Sequence, residues 1–285
     1  SDYDMNYVKD FQLNILEKSI GNLFDEYVNE YIFVPAGRSI ISVLSEQLQN
    51  IGEKNSDLLM RYFIDRISII RLVFNKSLQE IVEDKEHLTD LKVDKNRIVF
   101  AEEIINKILK GKYKRENGEE RLYVDEEKYV KLNYASSGQQ EAIWILNFLF
   151  LNILRQYPSF FVIEEPEAHL YPEAQKEIMN LCSLFYNTKE DNQLIITTHS
   201  PYILASLNNL LYAHKVGQSK SDKIEEIVDK RLWVDIKNLK AFFVEDGKLI
   251  DIIDKELGLI KNEALDSASR IINEEFDQIY EQEED

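Results

Sequence analysis

Three short strings hold the residues whose types and spacing could do chemistry. The first is FFVIEEPEAHLYP, from Phe160 to Pro172. Phe160 to Ile163 form the short continuous apolar run that a buried strand of a parallel sheet needs. Glu164 and Glu165 follow at the carboxyl end of that strand, where open α/β sheets bind ligands, and Pro166 stops further pairing. A buried strand ending in a solvated acidic turn accounts for this string taken alone. The second string, NYASSGQQE from Asn133 to Glu141, opens a strongly apolar helix over Ala142 to Arg155. Ser136, Ser137 and Gly138 stand where that helix begins, and unpaired N–H groups with the positive dipole end suit an anion there. An ordinary serine N-cap is the plainer reading of the same residues. The third string, QLIIT from Gln193 to Thr197, is another buried-strand run that delivers Thr198, His199, Ser200 and Pro201 at its end. A crossover helix over Glu173 to Asn187 separates it from the acidic pair, in the order a βαβ unit requires.

Taken together, SSGQQE, IEEPEAHLYPEAQ and TTHSPYIL resemble the C-terminal half of an ABC-type P-loop ATPase. They correspond to its signature helix, Walker B strand, D-loop and switch-histidine strand. In detail they look most like bacterial AAA-type ATPases of the OLD (overcoming lysogenization defect) kind, relatives of the SMC and ABC cassettes. The tail from Ala241 to Tyr280 is also similar, and Val34-Pro-Ala-Gly-Arg-Ser39 is a weaker echo.

The resemblance implies ATP and Mg²⁺ as cofactors. Glu164 would hold the metal, Glu165 would be the general base toward water, and His199 would donate to the γ-phosphate. Ser136, Ser137, Gly138 and Gln139 would bind nucleotide, Ser136 and Gly138 reaching ATP held by a second subunit, so the expected assembly is a homodimer closed by ATP. A separately encoded effector, a nuclease or toxin of a defence-type system, is the further partner implied. Two departures stand out: the family more often has Asp where Glu164 stands, and Ala168 to Tyr171 lacks the terminal Asp of the D-loop. The string G-x-x-x-x-G-K-[ST], whose loop cradles the phosphates, does not occur in the 285 residues. The expectation is therefore a fragment that begins after the Walker A lobe and is inactive alone. The alternative is a non-hydrolysing ABC-like scaffold for protein interactions.

A chain of 285 residues, 44% of them hydrophobic, can bury a sizeable core. Net charge of −18 and a pI near 4.8 argue against a broad nucleic-acid surface. The local basic stretch Lys107 to Arg115 reads as a solvated helix end in preference to a local nucleic-acid patch, so nucleic acid stays open as a partner only through a small surface. No apolar run or leader pattern points to a membrane, so a soluble, cytoplasmic protein is expected. Cys182 falls on the apolar face of a helix and reads as a core residue. Apolar spacing predicts a helix over residues 5 to 30, a strand over Tyr31 to Val34, and two long helices between Ile40 and Asp84 with a break near Gly52 to Asn55. Val93 to Lys110 adds another helix. Arg38 lies near the nucleotide face if the resemblance holds, or simply pairs with a carboxylate. A hairpin turns at Glu116-Asn-Gly-Glu119, with strands over Leu122 to Val124 and Tyr129 to Leu132. Further strands are predicted over Leu210 to Val216 and Ala241 to Val244, a tight turn at Asp246-Gly247, and a closing helix over Ala264 to Tyr280.

The predicted fold class is α/β, a largely parallel central sheet flanked by helices of the P-loop NTPase kind, with a mostly helical insertion. The expected division is residues 1–39 for the first helix and strand of the ATPase lobe, 40–111 for the insertion, and 112–285 for the C-terminal lobe.

Overall fold

The computed structural model describes residues 30–38, 58–75, 81–83, 93–261 and 267–281. Strand β1 (Glu30–Val34) is followed by helices α1 (Leu58–Val73) and α2 (Lys95–Leu109). An antiparallel meander comes next, β2 (Lys112–Glu116), β3 (Glu119–Tyr123) and β4 (Tyr129–Lys131). A 3₁₀ turn, Leu132–Tyr134, leads into α3 (Ser137–Arg155), then β5 (Ser159–Glu164), α4 (Pro172–Tyr186), β6 (Gln193–Thr197) and α5 (Pro201–Glu225). The chain continues through the hairpin β7 (Phe242–Glu245) and β8 (Lys248–Asp251), the short pair β9 (Ile253–Asp254) and β10 (Leu259–Ile260), and helix α6 (Ser267–Glu281).

The centre is a parallel three-stranded sheet in the order β1, β5, β6. Val34 lies opposite Ile163, and Glu164 opposite Thr197, so all three strands end at the same edge. Three loops meet there: residues 35–38 after β1, 165–171 after β5 and 198–200 after β6. Helix α3 is the centre of the core against the sheet. Its residues from Gln140 to Leu154 are buried without a break, the signature of a helix enclosed on all sides. Phe161 and Ile163 of β5, Ile178, Leu181 and Phe185 of α4, and Phe63, Ile67, Ile104 and Leu109 of α1 and α2 join it in one apolar cluster. The described helices of the 40–111 stretch therefore share the core of the sheet domain. Cys182 lies in the same core, and burial pushes its thiol up to about 12. Among the described residues no helix is long and apolar enough to cross a membrane.

The α/β class and the strands at Tyr31 to Val34, Phe160 to Ile163 and Gln193 to Thr197 form as predicted, the second running on through Glu164. Both tight turns do too: Asn117 and Gly118, and Asp246 and Gly247, all take positive φ, the type I′ geometry that matches strand twist. One expectation is overturned. Leu210 to Val216 is the middle of helix α5, not a strand. Ser200 caps that helix by accepting a hydrogen bond from Tyr202 N–H at 3.1 Å, Pro201 sits at its first turn, and Ile203, Ser206, Leu210, Leu211, Ala213 and Gly217 are buried at helical spacing. The strand predicted over Ala241 to Val244 exists as β7, but its hydrogen-bonded partner is β8 rather than the central sheet. The helices predicted over residues 5 to 30 and 40 to 57, and the break near Gly52 to Asn55, lie outside the described residues.

Candidate functional site

Strand β5 carries the acidic pair to the sheet edge and its neighbours fix it there. One carboxylate oxygen of Glu164 accepts the Ala36 N–H at 3.0 Å, tying the acid to the loop after β1. Glu165 takes φ +43°, a region sparsely populated by residues with a Cβ and recurrent at functional sites. Its N–H donates to the Thr197 carbonyl at 2.9 Å, and its carbonyl accepts Ala168 N–H at 3.0 Å. The Glu165 carboxylate is left partly exposed, with Oε1 at 3.6 Å from Nε2 of His199, whose own side chain is 90% exposed. Acid and imidazole thus share one edge, just outside direct hydrogen-bond reach of each other.

Two residues that sequence reasoning gave no firm role hold this edge together. Glu167 is buried, and its Oε1 accepts both the Thr198 hydroxyl at 2.6 Å and the His199 N–H at 2.9 Å. Its Oε2 is buried with no hydrogen-bond partner among the described residues. Arg38 is fully buried beneath the acidic pair. Its Nη1 donates to the carbonyls of Pro35 at 2.6 Å and Glu164 at 2.7 Å, and Nη2 to the carbonyl of Glu165 at 3.0 Å. Nε donates to the Glu141 carbonyl at 3.2 Å and lies 3.4 Å from the Glu141 carboxylate, which also accepts the Arg38 N–H at 2.9 Å. Burial lowers the Arg38 pKa from its ordinary value, opposed by Glu141, Glu165, Glu167 and Glu164 in that order. It pairs with the Glu141 carboxylate, one of its two sequence readings, while lying directly under the acidic pair. The Pro35 turn after β1 was the available signal.

The serine string forms a capping box. Ser136 accepts the Gln139 N–H, and the Gln139 side-chain oxygen accepts the Ser136 N–H at 3.0 Å. Gln139 also donates to the Leu109 carbonyl at 2.7 Å, so its amide is occupied by the fold. Ser136 and Ser137 stay exposed, and Gly138 is buried against the acidic loop. A Cβ at Gly138 would stand 2.5 Å from the His169 carbonyl oxygen. The serine string therefore abuts the loop after β5 through Gly138, while no hydrogen bond joins Ser136 or Ser137 to Glu165 or His199 among the described residues.

For a magnesium nucleotide the donors are of the right kind. Mg²⁺ keeps several waters and takes one or two carboxylates plus phosphate oxygens, which Glu164 can supply with one oxygen already fixed by Ala36. Among the described residues no group of three or more His, Cys, Asp and Glu is arranged to hold a metal unaided. Residues 4–204 match the family model of an AAA ATPase domain. That span takes in β1, the serine string, the acidic pair and His199. No curated protein matches the chain. Because the family match covers well over half of the sequence and every loop of this edge, the chain belongs to the AAA ATPase domain family, whose general chemistry is ATP binding and hydrolysis.

Proposed function

We propose that this protein is an ATP-hydrolysing subunit of the ABC-like, OLD kind that works as an ATP-gated dimer. The observation that carries the reading is the convergence of Glu165 and His199, 3.6 Å apart, at the carboxyl edge of a parallel sheet. Glu165 takes a proton from the attacking water, a task for a carboxylate that is held in place yet reachable by solvent. His199 donates toward the γ-phosphate and reports its presence. Glu164 would hold Mg²⁺, which when bound supplies charge neutralisation of the phosphates. Ser136, Ser137 and Gly138 present the N-terminus of α3, with its positive dipole end, to nucleotide on the second subunit. The partner proposed beyond the homodimer is a separately encoded effector in the cytoplasm.

The missing G-x-x-x-x-G-K-[ST] string favours a second reading, a scaffold that binds a partner without hydrolysis. ATP turnover of the complete gene product, with Glu165→Gln alongside, separates the two. The expected result is turnover reduced by about 100-fold or more with ATP affinity retained. A mutant as fast as wild type overturns the base assignment, and a complete product that binds a partner but never turns over ATP supports the scaffold.

A further inference from the structure

The Arg38 guanidinium touches three parts of the edge at once: the turn after β1, the first turns of α3 through Glu141, and the backbone of both acidic residues. We infer that Arg38 is a positioning residue for the general base, setting where the Glu165 carboxylate stands and locking it to the helix whose N-terminus faces the second subunit. The inference rests on the reading of Glu165 as base. Each contact has a physical reason. Glu165 lies in a backbone region that does not hold itself, and the Nη2 bond to its carbonyl is one of the restraints that keep it there. The planar fork of arginine can serve several carbonyls in fixed directions, whereas a lysine ammonium is a compact point charge. Glu141 sits five residues after the Ser136 cap on α3, so a shift of that helix pulls on its carboxylate and carbonyl, and through the guanidinium on the loop bearing Glu165. Arg38 reaches no surface, being 0% exposed, so it acts through Glu165 rather than on nucleotide.

The test is Arg38→Lys in the complete gene product, with Glu165→Gln in parallel. Arg38→Lys keeps the charge beside Glu141 but cannot span the carbonyls. The expected result is a folded protein whose kcat falls at least about tenfold, toward the ~100-fold that a 1 Å misplacement can cost, with KM for ATP within about twofold of wild type. Wild-type kcat in a folded Arg38→Lys overturns the inference, as does a loss of kcat/KM that comes from a rise in KM alone. Should Arg38→Lys fail to fold, the pair Arg38→Met/Glu141→Leu decides by the same criterion. It removes the buried charges together, so stability recovers relative to Arg38→Met. Turnover stays low if Arg38 positions the base and returns with stability if the ion pair is only structural. If Glu165→Gln hydrolyses ATP normally, the base assignment itself has failed; if it is inactive while Arg38→Lys is normal, only this inference has.

Discussion

Glu167 sits two residues beyond Glu165 and faces inward, with its carboxylate accepting from the Thr198 hydroxyl and the His199 amide. Truncating it removes two hydrogen bonds from partly buried donors to a charged acceptor, which costs about 1–3 kcal/mol. Glu167→Ala is therefore expected to lower stability by that amount in urea unfolding and to reduce turnover about tenfold or more by loosening the histidine loop. Glu167→Gln keeps one acceptor oxygen and should lose under 1 kcal/mol. Equal effects of the two would show that the negative charge, which both remove, is what holds the loop. Neither Glu167 nor Arg38 was legible as a holder of the site. Glutamate after the Glu-Glu-Pro triplet looks like a solvated turn residue, because nothing local shows that the chain 31 and 32 residues later returns to it. Arg38 bonds to carbonyls more than 120 residues away, and carbonyls carry no side-chain signal. Glu165 and His199 were legible because chemistry and strand position coincide in each.

Among the elements, α3 fixes the serine string and packs it on the loop after β5 at Gly138. A Cβ there meets a backbone carbonyl, which yields less readily than a side chain. Gly138→Ala is expected to cost about 1–3 kcal/mol by thermal or urea unfolding and to lower ATP turnover as well. Gly217→Ala offers the contrast: its added methyl overlaps the indole of Trp233, about 24 Å along α5 from Pro201. It should destabilise while leaving the turnover of the folded fraction unchanged. If both glycine variants lose turnover alike, the Gly138 contact has no special part in the site. Helix α5 is also where sequence reading failed. Leu210 to Val216 is a short apolar-rich run, and such a run does not separate strand from buried helix by its own periodicity. The deciding signal lay nine residues earlier, in the Ser200 cap and Pro201. The starts of α3 and α4 were legible because the Ser136 cap and Pro172 adjoin them.

At the level of the whole molecule, the parallel sheet and its α/β class followed from three apolar runs, while the neighbour of β5 did not. That β1 lies beside it is a pairing across the entire 40–111 stretch, invisible to any local pattern. The 285 residues contain no glycine-rich phosphate loop string, so calorimetry of this chain with ATP should show weak or no binding; a micromolar Kd would overturn that expectation. The sheet order carries a consequence for how the molecule is made. Glu30 and Ser159 are about four times as far apart in sequence as Phe160 and Gln193, so closing the first pairing costs about 1.2 kcal/mol more loop entropy than the second. Of the three central strands β1 is made first yet closes its pairing at the greater entropic cost, so Ile32 and Val34 are the core residues expected to be covered late, a target for chaperones during synthesis.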